Sequence, residues 1–184
     1  RFELSAVAFP DGSRWEATSD STGEVTTFRN RRGEQVVYTR NSRGQVVRKD
    51  LPGGINVTYD YDTVGRLLHV TGPEGTFVLD HDSRGFLTRL SNPDGTWIAW
   101  ELDDAGKRTR RTTSDGASLS YGWDAAGRLA SIHDGEGTLL GRYSYDAAGR
   151  LLREERGNGT STTTSYDPSG RPSTILHRGP DGAV

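Results

Sequence analysis

The sequence of 184 residues predicts an all-β protein: tandem antiparallel β-hairpins about 21 residues apart, forming a large curved sheet. Three observations predict it. Glycines recur on a fixed spacing, turn-forming residues keep register with them, and apolar residues alternate with polar ones between the turns.

The glycines come first. Gly23, Gly44, Gly65, Gly85, Gly106, Gly127, Gly149 and Gly170 are separated by 21, 21, 20, 21, 21, 22 and 21 residues. A second series runs Gly12, Gly33, Gly54, Gly75, Gly95, Gly116, Gly137, Gly159 and Gly182. Together they use 17 of the 24 glycines. Each Gly inside a helix costs about 1 kcal/mol relative to Ala, so this abundance argues against a helical bundle.

The turns follow. Three residues before each first-series glycine stands Asp20, Asn41, Asp62, Asp82, Asp103, Asp124, Asp146 or Asp167. Asp-x-x-Gly fits a type I turn, with Asp or Asn at its first position and Gly at its fourth. Pro10, Pro52, Pro73, Pro93 and Pro180 stand two residues before second-series glycines, where proline presets the second turn position. Two turns in 21 residues leave two segments of ordinary strand length.

The strands complete the unit. Positions eight, six and four before each first-series glycine hold, for example, Val57, Tyr59, Tyr61 and Leu119, Tyr121, Trp123. All seven tyrosines of the chain fall in such positions, Tyr143, Tyr145 and Tyr166 among them. Period-two alternation predicts a strand with one buried face. After the turn the apolar spacing becomes three: Val25 and Phe28, Leu67 and Val70, Leu87 and Leu90, Leu129 and Ile132. A bulge just past the turn reconciles that spacing with a strand. The expectation is about 17 strands in eight to nine repeats over residues 1–184, with no separate second domain.

Composition excludes several classes. There is no Cys, which removes disulfides, zinc–thiolate sites and cysteine nucleophiles. The net charge of −2 supplies no basic field for nucleic acid. No apolar run reaches the roughly 18 residues of a membrane span, and the first residues lack a signal-peptide core. A chain that opens on Arg1 and has no Met is expected to be a piece of something larger.

At this point YDYDTVGRLLHV, YGWDAAGRLASI, YSYDAAGRLLRE and SYDPSGRPSTI resemble the YD repeat of RHS-repeat proteins, whose relatives include Tc-type toxin C components and teneurins. The shared motif is Tyr-Asp-x-x-Gly-Arg-Leu. It is carried here by Tyr61, Asp62, Gly65 and Arg66; by Trp123, Asp124, Gly127 and Arg128; by Tyr145, Asp146, Gly149 and Arg150; and by Tyr166, Asp167, Gly170 and Arg171. Asp82 and Gly85 keep part of it, with His81 in the aromatic place. Elsewhere Ser19, Arg40 and Leu102 replace the aromatic, and Glu24, Gln45 and Lys107 replace the arginine. The resemblance implies a segment of an RHS-type β shell that encapsulates or presents a toxin domain. It further implies a secreted or envelope-exported bacterial protein, with the rest of the parent shell and the enclosed toxin domain as partners. No core segment follows HRGPDGAV, so no autoprotease is expected here.

The residues that could carry chemistry also fit structural roles. Asp60/Asp62, Asp80/Asp82 and Asp103/Asp104 pair carboxylates, yet they recur with the repeat and read as turn formers rather than acid–base pairs. His69, His81, His133 and His177 share no metal-ligand spacing. The basic run Arg108–Arg111 reads as strand residues rather than a nucleic-acid patch. The glycine-rich Gly135–Gly141 stretch lacks a Gly-Lys-Ser/Thr ending, and Asn56 and Asn158 open acceptor tripeptides for glycosylation. Arg66, Arg128, Arg150 and Arg171, each directly after a turn glycine, read as a structural ladder between neighbouring hairpins. No enzyme activity, cofactor or metal is expected. The alternative is a cell-surface module that binds carbohydrate or protein through its aromatics. Edge-to-edge self-association of such a sheet is expected as well.

Overall fold

A computed structural model describes residues 5–183; Arg1, the start noted above, and Val184 lie outside the described residues. The chain forms two compact units that divide between Gly95 and Thr96. Both are all-β.

In the first unit nine strands pair antiparallel in chain order. They are β1 (Ala6–Ala8), β2 (Arg14–Ser19), β3 (Val25–Arg29), β4 (Gln35–Arg40), β5 (Val46–Leu51), β6 (Ile55–Tyr61), β7 (Leu67–Gly72), β8 (Gly75–His81) and β9 (Leu87–Ser91). In the second unit eight more do the same. These are β10 (Trp97–Leu102), β11 (Arg108–Thr113), β12 (Ser118–Trp123), β13 (Leu129–Asp134), β14 (Leu139–Tyr145), β15 (Leu151–Arg156), β16 (Ser161–Tyr166) and β17 (Pro172–Arg178). The predicted hairpin unit is present throughout.

Every lattice glycine has a positive φ, and among the described residues the only other positive φ belongs to Gly53. The first-series turn is a type I turn closed by a left-handed glycine. At Asp62–Gly65 the Gly65 amide donates to the Asp62 carbonyl (3.1 Å), and the Asp62 amide donates to the Arg66 carbonyl (2.9 Å). That is the three-residue hairpin loop with its glycine bulge. Most second-series turns repeat it, as at Phe9–Gly12, Asn30–Gly33 and Thr113–Gly116. The β7–β8 connection is tighter, with Gly72 opposite Gly75 across Pro73 and Glu74. A Cβ on Gly75 would stand 2.7 Å from the Pro93 Cβ, so glycine is needed there for space as well as for φ.

The bulge expected from the spacing of three is present after each first-series turn. Tyr61 faces Leu67 and Asp60 faces His69, leaving Leu68 unpaired. Trp123 faces Leu129 and Gly122 faces Ser131 in the same way. Consequently Leu67 and Val70 sit opposite Tyr61 and Tyr59, a spacing of three on one strand matching a spacing of two on the other. Apolar residues of both strands thereby reach one face. The opposite face is polar, with cross-strand pairs such as Thr71 and Thr76, whose hydroxyls are 2.9 Å apart.

The alternation predicted a buried face, and here the structure differs. Among the described residues no hydrophobic side chain is buried; the buried side chains are Ser118 and Ser161. Within each unit every described strand belongs to a single antiparallel layer, so a ring is covered by its neighbours in the sheet and not by a second layer of its own unit. Burial stays partial, and the apolar face gains only part of the roughly 25 cal/mol per Å² that full removal from water brings.

One consequence is measurable. Gly116 has φ +86° with open space around it, so backbone conformation alone demands glycine there. Gly116→Val is expected to cost about 1–3 kcal/mol, and Gly116→Asn clearly less, because Asn tolerates the left-handed region. Urea midpoints of the two variants give the comparison. Equal midpoints would sink the turn assignment.

Candidate functional site

The predicted motif residues come together as two sets of rungs linking each hairpin to the next. The first set begins at the turn. The Asp62 carboxylate accepts from the Val64 amide (3.0 Å) and the Arg66 amide (2.8 Å) with one oxygen. Its other oxygen accepts from the Arg66 Nε at 2.6 Å. The same guanidinium then reaches across the sheet, Nη1 donating to the Asp82 carbonyl of the next turn at 3.1 Å. Arg128 repeats the arrangement with Asp124 (2.7 Å) and the Asp146 carbonyl (3.0 Å). Arg150 binds Asp146 at 2.6 Å and stands beside Gly170 of the next turn. Arg171 binds Asp167 at 3.0 Å. Near Gly85, Arg84 rather than the following residue pairs with Asp82.

The second set runs the other way. The Tyr61 hydroxyl donates to the Val46 carbonyl (2.9 Å), Tyr145 to Leu129 (2.8 Å) and Tyr166 to Leu151 (2.9 Å). Trp123 does the same through its indole N–H, to the Arg108 carbonyl at 2.9 Å. Each acceptor lies two residues past the preceding turn glycine. Between the two sets the guanidinium stacks on the ring: Arg128 over Tyr145 at 4.6 Å and Arg150 over Tyr166 at 4.5 Å. Tyr59, Tyr121 and Tyr143 lie on the same face but pair instead with Val70, Ile132 and Glu154 across their own hairpins.

At several positions that depart from the motif, the structure shows a substitute making the same kind of contact. Arg40, in an aromatic place, donates Nη2 to the Val25 carbonyl at 3.3 Å, the same acceptor position a tyrosine uses. It also pairs with Glu24 at 3.4 Å, so charge has been exchanged for ring stacking on both partners. Gln45, in an arginine place, donates to the Gly65 carbonyl at 2.8 Å and accepts from Asn41 at 3.1 Å. Lys107 stands over the Trp123 ring at 5.8 Å. Arg40, Gln45 and Lys107 all keep a hydrogen-bond donor.

Other candidates are dispersed. Arg108 stacks over Trp100 at 4.6 Å while Arg110 donates to the Ser118 hydroxyl, so the strand sends the basic run to opposite faces. His69 lies 3.7 Å from Asp60, both exposed, and His177 meets the Thr162 hydroxyl at 3.0 Å. His81 occupies the aromatic place with its Nδ1 buried and unpartnered. Among the described residues no group of three His, Cys, Asp or Glu is arranged to hold a metal, and no helix is long and apolar enough to cross a membrane. Clefts lie between neighbouring turns, one lined by Asn41, Arg43, Tyr61 and Asp62.

The turn carboxylates are acidified. The Arg66 amide, and then the Arg66 guanidinium, hold Asp62 at about 2 against the usual 3.8. Asp124, Asp146 and Asp167 are lowered first by the amides of Arg128, Arg150 and Arg171. Partial desolvation opposes the shift at Asp82, but the Phe86 amide and Arg84 outweigh it. A carboxylate with a depressed folded value stabilises fully above its unfolded value and ceases to do so as pH falls through the folded one. Stability should therefore fall steadily between about pH 4 and pH 2, and Asp62→Asn should flatten that slope, because a carboxamide keeps the amide contacts without titrating. Circular dichroism melts across that range provide the check. An unchanged slope in Asp62→Asn would contradict the assignment. Separately, Tyr145→Phe leaves the Leu129 carbonyl short of a donor and should cost about 1 kcal/mol in denaturant unfolding. A neutral result would remove the second set of rungs.

The family model described as RHS Repeat matches residues 40–76, 61–96, 103–139 and 142–184. No curated protein matches. A solved structure of TcdB2-TccC3-TEV aligns over 93% of this chain and 10% of its own, with TM-score 0.77 and 17% identity. TcdB2-TccC3 aligns over 92% of this chain and 12% of its own, with TM-score 0.57 and 20% identity. The Photorhabdus luminescens Tc holotoxin pore aligns over 91% and 11%, with TM-score 0.56 and 20% identity. The chain thus spans about a tenth of the length of the structures it matches.

Proposed function

Because the chain belongs to the RHS repeat family, we propose that it is a segment of wall in an RHS shell that encapsulates or presents a toxin or effector domain. The observation that carries this reading is that each unit is a single-layer sheet with no buried hydrophobic side chain among the described residues, clamped from hairpin to hairpin by the arginine and tyrosine rungs. Its chemistry is spent on neighbouring repeats. The motif residues bind backbone carbonyls and turn carboxylates, and they act by holding the wall together rather than by catalysis. Likeness to Tc toxin structures supports the same role and an exported destination. The partners are further wall of the parent shell and the domain enclosed by it. Tyr145 and Tyr166 already carry a guanidinium on the ring, which leaves those faces unsuited to stacking on a sugar.

The test uses the parent polypeptide. Its enclosed domain should resist protease in the native protein and become cleavable in a Gly127→Val variant, while the domain's intrinsic activity survives. Equal cleavage of both proteins would overturn the reading. Specific glycan binding, lost on Trp123→Ala in a folded protein, would move the function to adhesion.

A further inference from the structure

The strand after each first-series turn puts two residues on the ring face, two and five positions past the turn glycine. In four repeats both are apolar: Val25 and Phe28, Leu67 and Val70, Leu87 and Leu90, Leu129 and Ile132. In β11 both are arginine, Arg108 and Arg111. Two other repeats carry a single charge there, and each charge is answered. Lys49 stands over the Tyr38 and Tyr59 rings at 5.9 and 5.3 Å, and Glu154 pairs with Arg156 at 3.3 Å. For the β11 pair the described residues supply one ring and no ion pair. The exposed Arg108 guanidinium lies over Trp100 at 4.6 Å. Arg111, opposite Trp100 and Leu119, keeps a buried Nε without a partner. A donor left unmade on an apolar face costs stability that the leucine or valine of other repeats would not. The carboxylates at the two ends of the strand take part in their own turns. Asp103 accepts from the Lys107 amide at 2.8 Å, and Asp115 from the Thr113 hydroxyl at 2.7 Å and the Ala117 amide at 3.1 Å. Lys107 adds a third cation to the same region, over the Trp123 ring at 5.8 Å.

We propose that the ring face of β10–β12 binds an acidic polypeptide segment, whose Asp or Glu carboxylates accept from the Arg108 and Arg111 guanidinium groups beside Trp100. Charge complementarity selects this occupant. A guanidinium matches a carboxylate through two parallel N–H bonds, and the indole and leucine side chains around Arg111 exclude water that would weaken them. An apolar segment would leave both arginines unanswered. Nucleic acid fits less well. β11 has six residues, so its cations span about 20 Å at about 3.3 Å per residue. A phosphate chain running past them meets Asp103 and Asp104 at one turn and Asp115 at the other, whereas its affinity rests on many successive phosphate contacts. The site is defined by this chain's own residues and holds whether or not a domain is enclosed.

Fluorescence anisotropy tests the site on the 184-residue protein, using a labelled peptide of alternating Glu and Ala and the same peptide with Gln for Glu. The Glu peptide should bind and the Gln peptide should not. Arg111→Gln should weaken binding about tenfold, the effect of one charge-assisted hydrogen bond. Arg108→Gln should weaken it about threefold, since that pair is more exposed. Arg110→Gln, whose parent side chain donates to Ser118 on the opposite face, should leave it unchanged. Arg111→Leu separates binding from folding: it should abolish binding yet hold or raise the melting temperature, because Leu90 fills the same place in its repeat. Equal binding of the two peptides would overturn the proposal. So would equal losses from Arg110→Gln and Arg111→Gln, or a lower melting temperature in Arg111→Leu with binding intact. Tighter binding of an oligothymidylate would overturn it in favour of a nucleic-acid site. Displacement of the peptide by millimolar inorganic phosphate would reduce it to a general anion site. None of these outcomes touches the wall reading, which stands or falls on protease protection in the parent protein.

Discussion

A guanidinium that leaves one turn and ends on the backbone carbonyl of the next is the contact on which the rest of this architecture depends. A sheet one layer thick has no interior, so hydrophobic burial cannot supply most of its cohesion. Backbone pairing holds strand to strand, but it is indifferent to which side chains ride on it. The Arg66–Asp82 and Arg128–Asp146 bonds make the joint between hairpins specific. They depend in turn on the Asp carboxylate that orients the guanidinium, and that carboxylate depends on a turn only glycine closes without strain.

Seen this way, the repeat is a one-dimensional solid. Each unit interacts with the units on either side, and stability is approximately a sum of unit terms and nearest-neighbour joints. The two sets of rungs point in opposite directions along the chain: the arginine reaches forward by 16 or 18 residues and the tyrosine reaches back by 15 or 16. The joint between the Gly127 and Gly149 turns is therefore closed from both sides, by Arg128 and by Tyr145. At one joint substitution at one end is matched at the other: the Glu24–Arg40 pair puts an ion pair in place of an arginine–ring contact. Such a lattice tolerates much sequence variation while keeping its geometry, which fits likeness of fold at 17–20% identity.

The opposite faces divide the labour. One carries the rings and the rungs. The other carries Thr, Ser and charged pairs such as Arg142 and Glu155, which lie 3.8 Å apart across neighbouring strands. The bulge after each first-series turn makes this division possible. Without the unpaired residue at Leu68, Val70 would fall on the polar face, because a one-residue slip in a strand reverses every side chain beyond it.

Strands, turns and bulges were determined by the sequence itself, since positive φ, turn hydrogen bonds and period-two alternation are local properties of a few adjacent residues. Asp62, Gly65 and Arg66 announced their turn, and the spacing of Leu67 and Val70 announced the bulge. The roles of Arg40, Gln45 and Trp123 were not legible, because their partners Val25, Gly65 and Arg108 lie 15 to 20 residues away and become neighbours only once the hairpins stack. Only the tertiary structure could decide that the aromatic face stays half-exposed. Alternation in a strand records which residues share a face, whereas burial depends on whether a second layer covers it, and neither unit contains one.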